Sequence, residues 1–107
     1  EKIKVILVSA KTQSIEEIEI TQHSLREMYD TIESDEKLIE AAKSYDNGDI
    51  LYCDGSWKSH KPYGFTYPNW SYPIAGNAIV VGGNRFGEDC DSKSTVEDIK
   101  KNIIFLP

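Results

Sequence analysis

Ile39-Glu40-Ala41-Ala42-Lys43-Ser44-Tyr45-Asp46-Asn47-Gly48-Asp49-Ile50-Leu51-Tyr52-Cys53 is the stretch that decides the fold. Its first half reads two ways. Leu38, Ala41, Ala42 and Tyr45 share a helical face, while Ile39, Ala41, Lys43 and Tyr45 alternate, less cleanly, as in a strand. The residues that follow tip the balance. Asn47-Gly48 is the strongest short hairpin signal, because Asn and Gly tolerate the positive φ that a type I′ turn demands. Ile50–Cys53 is then a return strand, and 37–45 is its partner.

Working outward, Ile3–Ser9 is rich in Val, Ile and Leu and reads as a buried strand. Ile15–Ile20 has period two, with Ile18 and Ile20 on one side and Glu17 and Glu19 on the other, so it is a half-buried strand paired with the first. Ser24 and Glu27 have capping-box spacing, and Leu25, Met28, Tyr29 and Ile32 form one apolar helical stripe behind them. Pro62, Pro68 and Pro73 exclude a long regular element from 62–75, which is extended in pieces at most. Gly76–Gly82 is a strong strand, and Gly83–Lys93 is a loop. Ser94 and Glu97 give a second capping box, opening a helix through Val96, Ile99, Lys100 and Ile103. Ile104-Phe105-Leu106 leaves that helix as an edge strand. The expected fold is a single two-layer α+β domain over 1–107: a mainly antiparallel sheet of about five strands, with two helices on one face.

Composition narrows the function classes. With 107 residues, 39% hydrophobic and 28% charged, the chain is that of a globular domain with a modest core. Its net charge of −6 opposes nucleic acid and anionic membranes, so direct nucleic-acid binding is not expected. The longest apolar runs are Val5–Val8 and Ala78–Val81, far short of a membrane span. Ile3–Ala10 contains a lysine and is too short for an export-signal core. A reducing cytoplasm is therefore the expected location, with Cys53 and Cys90 as free thiols.

Between Trp57 and Gly87 there is no Asp or Glu. That window carries a charge of +3 from Lys58, Lys61 and Arg85, against −9 elsewhere, and seven of the eleven aromatics. Such asymmetry marks a contact surface, and the candidate binding residues are Trp57, Lys58, Lys61, Tyr63, Tyr67, Trp70, Tyr72 and Arg85. Trp57 and Trp70 are the preferred anchors, since Trp, Tyr and Arg dominate interface energetics. The competing reading folds Tyr63, Phe65, Tyr67, Trp70 and Tyr72 down as a satellite core beneath a proline-rich loop.

Other chemistry is weakly signalled. Residues 16–54 hold twelve Asp or Glu against three Lys or Arg. They form either a mimic of a phosphate array or, more simply, a solvated surface. His23, Cys53, His60 and Cys90 lack metal-ligand spacing, and no metal is expected. Asp89-Cys90-Asp91 starts like a calcium loop, but Lys93 and Ser94 break the pattern. Gly82-Gly83-Asn84 departs from the dinucleotide fingerprint, and a hairpin or loop suits it better. Cys53 with His60 would make a nucleophile only if their side chains met; a buried inert thiol is the expected state. Glu16 and Glu17 point to opposite strand faces and make a poor acid–base pair.

The segments Lys4–Val8, Ile39-Glu40-Ala41 to Asp46–Asp49, Pro62-Tyr63-Gly64-Phe65 and Pro73-Ile74-Ala75-Gly76-Asn77-Ala78-Ile79-Val80-Val81-Gly82 resemble a family of small uncharacterised domains carried by phages, plasmids and integrated elements of Gram-positive bacteria. The likeness spans most of the chain, and the stretch Ala75–Gly82 is its most distinctive piece. It implies a mobile-element accessory protein in a bacterial host cell and supplies no catalytic residues. The leading expectation is a non-enzymatic protein without cofactor that binds a host or element-encoded partner, in an anti-defence or regulatory role. The alternative is a module holding a nucleotide or similar anion at Trp57–Tyr72 with Lys58, Lys61 and Arg85. Pairing of Ile104-Phe105-Leu106 across a two-fold axis offers a route to a homodimer.

Overall fold

The computed structural model of the chain describes residues 1–55, 61–68, 70 and 73–107. Its strands are β1 (Lys2–Ser9), β2 (Ser14–Thr21), β3 (Ile39–Ser44), β4 (Ile50–Asp54), β5 (Gly64–Thr66), β6 (Ile74–Ala75), β7 (Ala78–Gly83), β8 (Asp89–Cys90) and β9 (Ile104–Phe105). Its helices are α1 (Leu25–Ile32) and α2 (Val96–Lys100). The main sheet runs β2-β1-β7-β4-β3, with β8 on the end of β7, and a small second sheet runs β6-β5-β9. Every pairing is antiparallel. The α+β class and the antiparallel sheet are those the sequence implies.

β7 lies at the centre because both of its faces are apolar. Ala78, Ile79, Val80 and Val81 are all buried. Ile79 and Val81 join Ile3, Val5, Ile20, Met28 and Ile32 in the cluster under α1. Ala78 and Val80 join Ile6, Val8, Leu51, Phe65 and Ile99 in a second cluster on the other side. The two helices thus pack on opposite faces of the main sheet, not on one face as expected. The physical reason is that β1 and β7 expose apolar side chains both ways, and a strand of that kind must be covered on both faces. α1 covers one face. α2 has only five residues and shares the other face with the small sheet, which adds a layer to the two anticipated.

Local signals mostly hold, with shifts in detail. The 39–53 hairpin forms, yet only Gly48 of its turn takes positive φ (96°), so the turn is not type I′. Gly48 N–H donates to the Tyr45 carbonyl and Tyr45 N–H to the Asp49 carbonyl, the pattern of a three-residue loop closed by a glycine bulge. At α1 the Ser24 hydroxyl accepts from Glu27 N–H, but the Glu27 carboxylate turns back to Thr21 N–H instead of closing the box. Met28 and Ile32 are buried, whereas Leu25 stays 53% exposed. The second box is complete one residue later than expected, between Thr95 and Asp98. Ile104-Phe105 leaves the helix and pairs with β5. No helix among the described residues is long and apolar enough to cross a membrane.

Candidate binding groove

The β3–β4 hairpin is irregular at one point, and that irregularity builds the site. Ala41 pairs with Tyr52 and Lys43 with Leu51, leaving Ala42 as an extra residue in β3. Cross-strand partners share a face. Without the extra residue, position 43 would oppose Ile50 and face the α1 side. With it, Lys43 lies on the Leu51 face, toward the small sheet, as bulges characteristically re-aim side chains. Tyr45 follows at the end of the strand and packs half-buried on the same cluster.

From the other side, the segment after β5 supplies Tyr67 and Trp70. Tyr67 is buried and anchored in the core; Trp70 is half-buried with its ring 4.6 Å from that of Tyr67, tilted by 44°. The Tyr45 and Tyr67 hydroxyls hydrogen-bond to each other, and their rings lie 6.4 Å apart. The Lys43 ammonium sits over all three rings, at 5.4 Å from Tyr45, 5.1 Å from Tyr67 and 5.9 Å from Trp70. These distances are within cation–π range. The rings wall an open groove of about 440 Å³ that Asp46, Pro68 and Asn102 complete. A second hollow of about 390 Å³ shares Tyr45, Asp46 and Asn102 with it and continues toward Ser94 and Ile99. The two hollows adjoin at these residues, between the hairpin tip and the end of α2.

Burial, then the hydrogen bond to Tyr67, pushes the Tyr45 phenol well above its ordinary range, and burial raises Tyr67 as well. Both phenols stay protonated at neutral pH. The groove thus offers aromatic faces, an ammonium and a carboxylate at its rim, which suits recognition.

The sequence-predicted residues divide. Tyr67 and Trp70 are brought together in the groove. Phe65, from the same window, is fully buried core, and Tyr63 packs half-buried against that core. Lys61 is only 16% exposed along its side chain and donates to the Glu33 carbonyl at 2.8 Å, with Asp35 at 3.9 Å, so its charge caps the C-terminal end of α1. Arg85 stacks at 4.9 Å on Phe86, which is 71% exposed. Both sit on a turn that Asn84 braces by accepting from the Phe86 and Glu88 N–H groups. Lys61 packs beside Gly76 and Arg85 lies beyond Gly83, at opposite ends of β7. A strand of that length spans about 20 Å, so these two cations do not converge on one anion. Trp57, Lys58 and Tyr72 lie outside the described residues, as does His60. Lys43, Tyr45, Asp46 and Asn102 were missed because they fall outside the 57–87 window; only the aromatic ring of Tyr45, next to a turn, hinted at a role.

The acidic residues serve several separate tasks. Glu16, Glu17 and Glu19 are exposed on β2, where they discourage pairing of that sheet edge with another chain. Glu33 binds the Asn77 amide at 3.0 Å, and Asn77 accepts in turn from Ala10 and Lys11 N–H. Asp49 is buried between the hairpin turn and the segment before α2. Asp91 accepts from Lys4 N–H at 2.8 Å, and Asp89-Cys90 is a strand instead of a calcium loop. Among the described residues, no group of three or more His, Cys, Asp or Glu is arranged to hold a metal ion. Both cysteines are free. Burial, aided by Glu40 and Asp54, pushes the Cys53 thiol up to about 11, which makes it a poor nucleophile at neutral pH. Glu16 opposes Leu7 and Glu17 opposes Ile6, so the two carboxylates do take opposite faces. No family model matches this chain, and neither does any curated protein or solved structure.

Proposed function

We propose that this chain is a non-enzymatic accessory protein of a mobile element of Gram-positive bacteria, and that it acts in the host cytoplasm by docking a host- or element-encoded protein onto the groove between the hairpin tip and Trp70. The role we propose for that docking is anti-defence or regulatory. The observation that carries the reading is the half-exposed Trp70 ring, stacked on a core tyrosine at 4.6 Å at the mouth of a solvent-open groove. A rigidly backed Trp costs little entropy to immobilise and buries a large area when covered, which is why such residues anchor protein interfaces. The groove's protonated phenols and ring-held ammonium suit binding better than bond making.

The test begins with a photo-reactive residue in place of Ser44, at the groove, and separately in place of Glu19, on the distant β2 edge. Cross-linking in lysate of a Gram-positive host is expected to capture one protein from position 44 and not from position 19. With that protein purified, Trp70→Ala should weaken binding by 2 kcal/mol or more, roughly 30-fold, while the circular dichroism of the variant stays native. Undiminished affinity in the Ala variant would remove the groove from the interface.

A further inference from the structure

The groove already holds a cation. The Lys43 ammonium stands within 6 Å of three ring centroids at once. Aromatic rings attract cations through the negative faces of their quadrupoles, and alkylammonium groups clustered by several rings are the usual ligands of such sites. Lys43 reaches this position only because of the bulge at Ala42, and it comes from the outermost strand of the main sheet, which pairs with β4 along one edge only. We propose that Tyr45, Tyr67 and Trp70 form an alkylammonium site, that Lys43 is its resident stand-in, and that a lysine side chain of the docked partner takes the place of Lys43. Charge complementarity agrees: the chain carries −6, and Asp46 lines both hollows beside the rings. A protein with exposed lysines is the partner such a surface attracts.

The proposal deepens the docking reading, since it names what enters the groove. It also makes Lys43 a gate. A ligand that must displace an internal competitor binds more weakly by the fraction of time the site stands open. Removing Lys43 should therefore tighten cation binding, the reverse of what removing a contact residue does.

The probe is Nα-acetyl-lysine methylamide, compared with its neutral Nε-acetylated counterpart and with choline. Binding is read from the Trp70 indole N–H resonance, assigned by its loss in Trp70→Phe. Lys43→Ala is expected to bind the lysine probe about tenfold more tightly than wild type, and to ignore the neutral counterpart. Equal binding of the neutral probe would mean an apolar groove without cation preference and would overturn the proposal. Binding of choline without the lysine probe would overturn the assignment to a protein side chain, and no binding of any probe would overturn the site. In wild type, the Lys43 Hε protons should be shifted upfield by the rings and should return toward ordinary lysine positions in Trp70→Ala. Ordinary positions in wild type would contradict the proposal even if Lys43→Ala failed to fold. The probes need no partner, so their failure leaves the docking test intact, and failure of docking leaves the cation result standing.

Discussion

Asp49 shows how much a single side chain decides here. It has no exposed surface, yet it accepts from Lys93 N–H at 3.0 Å, Ser94 N–H at 2.7 Å and the Ser92 hydroxyl at 3.3 Å. Burial alone would raise its pKa. The bonds to Lys93, Ser94 and Ser92 outweigh burial, and the net shift is downward. A carboxylate whose folded pKa is depressed contributes stability that is fully present above its unfolded value and is lost as pH falls through the folded value. Acid unfolding below about pH 4 should therefore include this group. Asp49→Asn is expected to cost about 2–4 kcal/mol at neutral pH, measured by urea denaturation, and to flatten the acid limb of the stability profile. An unchanged acid limb would show that the carboxylate is not the charge that matters. The residue was legible only as a turn position next to Asn47-Gly48; its partners lie more than 40 positions away, and no local pattern announces them.

At the scale of elements, most of the fold was readable, but of the groove only the Tyr67 and Trp70 side was. Hydrophobic period, the Asn-Gly turn and the two capping signals located the hairpins and helices, because each is set by neighbours within a few residues. Lys43 escaped because its direction depends on a bulge, and a bulge is a property of two paired strands. The turn type was missed for a related reason: Asn47 uses its side-chain oxygen to accept from Asp49 N–H at 2.9 Å and has no need of positive φ itself. Gly82 gives a test at this scale. A Cβ there would run into the Asp91 carbonyl oxygen, where β7 meets the segment after β8. Gly82→Ala is expected to destabilise by about 3 kcal/mol, with thermal unfolding as the readout. Gly87→Ala, whose Cβ meets nothing within 4 Å but which sits at φ 79°, should cost only about 1 kcal/mol. Similar losses at both sites would contradict the packing described for β7 and β8.

For the whole molecule, the decisive feature is that the central strands are apolar on both faces. The runs Val5–Val8 and Ala78–Val81 already carried that message, since an unbroken apolar strand signals burial on both sides. Counting two amphipathic helices suggested one covered face; the second face is instead covered by the small sheet and α2. That covering delivers Phe65 and Tyr67 to the core and leaves Trp70 at the surface, so the aromatic window is partly core and partly groove. Chemical-shift mapping tests this division and the central claim together. With the captured partner titrated into the ¹⁵N-labelled protein, the largest changes are predicted at Lys43–Asp46, Tyr67, Trp70 and Asn102. Changes concentrated instead on the Arg85-Phe86 turn or along β2 would contradict the account and move the interface to another part of the molecule.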